Sequence, residues 1–133
     1  MKKDITIPKT EGVLLAAVFE KHAEYHTDDW NIYILNTKPE PLENLLIVSK
    51  GFSATKVTPA MRHKLAVLPA KSYAKVEFLQ QDVLALTNEF SVTFFHEGTL
   101  YDQKFVFKPN AIKASALKEI SLMDRKGVLG LVE

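Results

Sequence analysis

The 133-residue chain contains no cysteine. That absence excludes disulfide staples, thiolate zinc sites and thiol nucleophiles, and it suits a reducing compartment. Net charge is nearly absent too: 17 Lys and Arg stand against 16 Asp and Glu, leaving +1. Nucleic acid and anionic lipid reward many clustered cations, so neither is attracted by the molecule as a whole, and such a partner would need a local patch. Long apolar runs are missing. Val13 to Phe19 is too short to span a bilayer, and Met1-Lys2-Lys3 is followed by Asp4, Thr6, Pro8, Lys9 and Glu11 where a signal peptide needs continuous apolar residues. The expected location is the cytoplasm, without membrane association. There is no phosphate loop, because neither Gly51 nor Gly98 stands in a Gly-x-x-x-x-Gly-Lys run. No repeat, low-complexity tract or linker divides the chain, so residues 1–133 are read as one domain.

What is present is the composition of an ordinary globular protein, 47% hydrophobic and 25% charged, long enough to build a real core. The strongest local signal is a hairpin. Phe90 to Phe95 and Leu100 to Phe107 are rich in aromatic and β-branched residues and flank a short turn containing Gly98. If Glu97-Gly98 is a two-residue loop, Phe94 faces Tyr101 and Phe90 faces Phe105 across the strands. A second pair runs from Trp30–Leu35 to Leu45–Val48, joined by a segment whose prolines, Pro39 and Pro41, cannot sit inside a central strand. Further strands are expected at Arg62 to Val67 and, after the Leu68-Pro69-Ala70 corner, at Tyr73 to Leu79. In the latter, Tyr73, Lys75 and Glu77 alternate with Ala74, Val76 and Phe78.

Gln81 to Leu86 is compatible with a short helical turn, and Ser115 can cap another over Ala116-Leu117-Lys118-Glu119. Gly12 to Tyr25 carries both helical and alternating signals, and we read it as a strand. The apolar Gly127–Val132 segment reads as a last strand packed on the domain, with a strand offered to a partner as the alternative. Trp30 and the eight phenylalanines are expected in the core. The fold expected from these elements is all-β and mainly antiparallel, a two-sheet sandwich with one or two short helical turns.

The order Leu35-Asn36 to Pro41-Leu42-Glu43-Asn44-Leu45, the Leu68–Ser72 corner and the closing Phe-rich hairpin resemble bacterial immunoglobulin-like accessory domains. The resemblance covers Trp30 to Pro109 and implies sandwich architecture, not a function. The chain is also similar, more faintly, to small uncharacterised bacterial proteins sometimes labelled phenylalanyl-tRNA synthetase alpha subunit. The arginine-bearing motif of such synthetases, a Gly-x-Gly-x-x-Arg run, has no counterpart here, so no synthetase residue is carried over.

Four polar residues, Glu20, His22, Glu24 and His26, alternate with Phe19, Lys21, Ala23 and Tyr25. On one strand they would share a face. Imidazole and carboxylate are sound ligands for a divalent ion, which makes His22, His26 and Glu24 the candidate metal ligands. The spacing is not that of the His-Glu-x-x-His motif, however, and a solvated strand face explains the stripe more simply. His63 lies between Arg62 and Lys64, and the residues near it in sequence supply neither a serine nucleophile nor a carboxylate to orient it. His96 beside Glu97 reads as a turn residue. Lys50, Lys56, Arg62, Lys64, Lys71 and Lys75 make the middle third basic. Interleaved with Phe52 and Tyr73 they could bind an anionic chain, but lysines also guard sheet edges against mispairing. Arg62, Lys64 and Tyr73 are the candidate partner-binding residues.

With no catalytic constellation and no cofactor expected, the residues favour a noncatalytic binding or scaffolding module over an enzyme. Such a module would engage a protein partner, or a second copy, through a sheet face or edge. The alternatives are a metal-dependent or ligand-binding protein using the Glu20 to His26 stripe, and an RNA-associated accessory protein using the basic middle third.

Overall fold

The computed structural model describes residues 11–21, 24, 25 and 27–133. Their strands are β1 (Val13–Lys21), β2 (Asp28–Asn36), β3 (Leu42–Phe52), β4 (Met61–Leu68), β5 (Ser72–Leu79), β6 (Thr87–His96), β7 (Thr99–Phe107), β8 (Lys118–Ile120), β9 (Arg125–Leu129) and β10 (Leu131–Val132). They form two five-stranded sheets, ordered β5-β2-β1-β9-β8 and β10-β7-β6-β3-β4, with antiparallel pairing throughout. The expected all-β antiparallel sandwich is therefore the fold observed.

Alternation along the strands builds the interior. Leu15, Ala17, Ile32 and Ile34 of the first sheet meet Ile47, Phe90, Val92, Phe94 and Phe105 of the second in one buried cluster. The β6–β7 hairpin has the register its aromatics dictate, Phe94 opposite Tyr101 and Phe90 opposite Phe105. Its two loop residues, Glu97 and Gly98, have φ of 51° and 79°, the pair of positive angles that a type I′ turn requires. The phenylalanines do not all go inside: Phe90, Phe94, Phe105 and Phe107 are buried, whereas Phe19, Phe78 and Phe95 are exposed.

The ambiguous segment beginning at Gly12 is a strand, but it ends at Lys21, and Glu24 and Tyr25 lie in a turn. Both short helical turns are 3-10, at Gln81–Ala85 and Ala114–Ala116. The second lies further back than expected. Leu117 to Glu119 leave it because Ile120 is buried with Met123 against Ala16, Val18 and Leu35 on the outside of the first sheet, which draws Lys118–Ile120 into pairing with β9.

The C-terminal apolar segment is not one strand but two, and it ties the sheets together. β9 belongs to the first sheet and β10 to the second, with Gly130 at the crossing. The Gly130 N–H donates to Leu15 O at 2.9 Å, and a Cβ there would lie 3.1 Å from Phe107 Cζ.

The edges are unequal. On one side of the sandwich the edge strands are β8 and β10, of three and two residues. On the other, β4 and β5, each of eight residues, are the outermost strands of the two sheets. They are consecutive in the chain and joined by the Leu68-Pro69-Ala70 corner, which the buried Asn36 amide pins by donating to Leu68 O and Pro69 O at 3.3 and 3.1 Å. The long open edges therefore share one flank.

Candidate functional site

The flank acquires its chemistry from an irregularity in β5. Ile32 of β2 pairs with Glu77, but the next residue, Tyr33, pairs with Lys75, so Val76 is one residue more than the partner strand supplies. A β-bulge of this kind re-aims the side chains beyond it. Simple alternation would put Glu77 outside with Tyr73 and Lys75, and Phe78 inside with Ala74. Past the bulge the faces are exchanged. Glu77 stands opposite the inward Ile32, and Phe78 is 51% exposed.

Turned inward, Glu77 meets two residues of the other sheet. Its Oε1 accepts the Ser49 hydroxyl at 2.7 Å and lies 2.7 Å from His63 Nε2. The carboxylate side chain is 9% exposed and the imidazole 24%. Ser49 and His63 face inward because they alternate with the core: Ile47 pairs with His63, and Ser49 follows Ile47 by two. The three groups line a cleft of about 560 Å³ between β4 and β5, walled also by Met61, Val76, Leu79 and Val83. That volume is in the range of small-ligand and side-chain pockets.

Serine, histidine and glutamate together invite comparison with a nucleophilic triad, but the order of contacts is wrong for one. In a triad the imidazole takes the serine proton and the carboxylate orients the imidazole from its far side. Here the carboxylate is in the middle and holds both partners, so the hydroxyl points at Glu77 and not at His63. The arrangement fixes a buried acceptor at the cleft floor. It does not activate Ser49.

The residues singled out in the sequence are distributed around this flank. Arg62 and Lys64 alternate with His63 and are exposed on the outer face of β4. Tyr73 is on the outer face of the first sheet, its ring 5.9 Å from that of Tyr33. The structure therefore puts the cations and the tyrosine on outer faces of different sheets. Lys50 lies 5.6 Å from the centre of the Phe52 ring.

Of the proposed metal stripe, His22 and His26 lie outside the described residues, and Glu24 is exposed in a turn beyond the end of β1. Glu20 remains on β1 and is already engaged. Its Oε1 accepts from Asn31 Nδ2 at 2.8 Å and Tyr33 Oη at 2.7 Å, and its Oε2 accepts from Arg125 Nη1 at 2.8 Å. Burial, with Glu20 as hydrogen-bond partner and negative neighbour, pushes the Tyr33 hydroxyl up from 10.0 to about 12. This cluster ties β1, β2 and β9 together on the outer face of the first sheet.

His96 is more than a turn residue. Its side chain is 11% exposed, and Nε2 lies 2.8 Å from Glu40 Oε1 and 3.7 Å from Glu97 Oε1. Glu40 belongs to the β2–β3 connection, 56 residues away. Sequence reading missed both this meeting and the Ser49–Glu77–His63 group for the same reason: each is assembled across loops or sheets, and no local spacing announces it. Comparison of the chain with protein-family models, with curated proteins and with solved structures gives no match.

Proposed function

We propose that this protein is a noncatalytic binding module, an immunoglobulin-like sandwich that takes an extended segment of a partner protein along the open β4 edge. The observation that carries this reading is the flank itself: two eight-residue edge strands beside a 560 Å³ cleft. Added strands gain main-chain hydrogen bonds from the edge, while pockets for alternate side chains confer specificity. Met61, Val67, Tyr73 and Phe78 add exposed apolar surface on β4 and β5.

The chemistry of the edge describes the partner. A strand laid on β4 turns alternate residues toward the cleft, where Met61 and His63 wait, and the others outward beside Arg62 and Lys64. Inward positions suit apolar side chains and outward positions suit Asp or Glu, because opposite charges across a strand pair are favourable and like charges are not. A second copy is the poorer occupant. Two-fold antiparallel pairing of β4 centred on His63 would set Arg62 against Lys64. Binding of RNA would use the same cations without the cleft.

The test is selection from a random peptide display library on the full chain, followed by titration of enriched peptides into isotopically labelled protein. The expected peptides alternate apolar and acidic residues, perturb the β4 amides, and lose binding to the Arg62→Glu/Lys64→Glu variant. Enriched peptides lacking that alternation, or indifferent to the variant, would overturn the reading. So would homopolymer RNA binding that shifts the same amides when the peptides do not.

A further inference from the structure

The end of the sandwich formed by the β2–β3 and β6–β7 connections carries a second group of chemically capable side chains. Among the described residues, Glu40, His96 and Glu97 offer one nitrogen and two carboxylate oxygens that all lie within 4.8 Å of one another. We propose that these three residues form a binding site for a divalent transition-metal ion of the zinc or manganese class, with the fourth position left to water. This site is independent of the peptide-binding flank, because β3 meets it near Glu43, which pairs with Phe95 beside His96, while the cleft lies at Ser49–Gly51.

Distance is the first argument. Ligands about 2.0–2.2 Å from a tetrahedral ion lie roughly 3.3–3.6 Å apart. The His96 to Glu97 separation of 3.7 Å is already close to this. The His96 to Glu40 separation of 2.8 Å is a direct hydrogen bond, which opens by about half an ångström when an ion replaces the shared proton. An imidazole and two carboxylates match the donor preferences of zinc and manganese, and three protein ligands with an open position are the pattern of accessible sites rather than closed structural ones.

The second argument is that the supporting structure holds the ligands in place. Glu40 stands between Pro39 and Pro41, whose rings fix φ at either side, and the residue before a proline is disfavoured in the helical region, so the backbone at Glu40 has few alternatives. Its backbone carbonyl accepts from the side chain of Asn36 at 2.9 Å. Asn36 is fully buried, and its Oδ1 accepts from Lys38 N at 3.0 Å, so the whole connection is pinned to the core by one amide. His96 is held by the Tyr101 ring, 6.0 Å between centroids, which itself stacks on buried Phe94. Glu97 occupies the first loop position of a two-residue turn whose register is set by the flanking aromatics. Metal sites depend on such outer contacts to orient their ligands.

The experiment is isothermal titration of zinc chloride, and separately manganese chloride, into the full chain carrying His22→Ala and His26→Ala, which removes both histidines of the Glu20 to His26 stripe. One site per chain is expected, weakened more than about tenfold by Glu40→Gln and by His96→Gln. Glu97→Gln, at an exposed turn, tests the third ligand without risk to folding, and is expected to weaken binding while leaving the melting temperature without metal unchanged. On adding metal, the NMR resonances of the His96 ring should shift and those of the His63 ring should not. Absence of binding heat for both ions, or stoichiometric binding that survives Glu40→Gln and His96→Gln, would overturn the site.

Discussion

Gln103 stands on the inner face of β7 opposite Val92, 3% exposed, and its Nε2 has no hydrogen-bond partner. A buried donor without an acceptor costs about 1–3 kcal/mol relative to its hydrated state. Gln103→Met keeps the length and removes the amide, so urea denaturation should show it more stable than the parent by about that amount. A less stable variant would mean that the amide is satisfied in solution. Tyr33 makes the opposite point, as a polar group with its partner in place. Burial and Glu20 raise its hydroxyl from 10.0 to about 12 in the folded chain, so the folded state holds the proton more tightly than the unfolded one. The stabilisation is fully present below pH 10, and it fades as pH rises toward 12, because the unfolded chain then ionises first. Stability measured between those limits should fall in the parent and fall less in Tyr33→Phe. Equal slopes would show that Tyr33 is not the group responsible.

At the scale of the element, the edge strand β4 is both opportunity and hazard. An unpaired edge is a template for other chains, and charged side chains are the usual guard. Arg62 and Lys64 occupy that role, exposed and separated by a single residue. Replacing both by threonine, a good strand former without charge, should let β4 pair with itself. Sedimentation should then show mass rising with concentration in Arg62→Thr/Lys64→Thr and not in the parent. Unchanged sedimentation would move the protection elsewhere, to Lys75 or to the corner. Elements of this kind were legible from the chain because alternation and turn chemistry are local: Gly98 between two aromatic runs marks the hairpin, and a two-residue loop at Glu97-Gly98, once assumed, sets the register of the phenylalanines. The Val76 bulge was not legible, since an inserted residue leaves the pattern Tyr73-Ala74-Lys75-Val76-Glu77 looking regular and shows itself only against the partner strand. The candidate cleft depends on that bulge, so regular alternation groups Glu77 with Tyr73 and Lys75 and leaves His63 without its carboxylate. The Glu40–His96 pair was hidden by its long separation in sequence.

For the whole molecule, the consequential feature is the way the sheets share their interior. One buried cluster contains residues of both, from Trp30 and Ile32 in the first to Phe94 and Phe105 in the second. The chain passes from one sheet to the other at Gly130, where the backbone runs within contact of the buried Phe107 ring. Fold class was readable from composition and turn spacing. The crossing was not, because Gly127–Val132 reads as one apolar run, and the close approach to Phe107 at Gly130 shows itself only in the folded chain. A shared interior implies that the sheets unfold together. Trp30, the sole tryptophan, reports on the first sheet by fluorescence, while far-ultraviolet circular dichroism reports on both. Their denaturant midpoints should coincide. Gly130→Ala sharpens the test, since its Cβ would lie 3.1 and 3.2 Å from Phe107 Cζ and Cε2, closer than a packed ring tolerates without moving. Overpacking of this kind costs about 1–3 kcal/mol. Although Phe107 belongs to the second sheet and Trp30 to the first, the variant should lower both midpoints equally. If the Trp30 transition stays in place while the circular dichroism transition moves, the sheets are separate cooperative units and the single shared core is wrong.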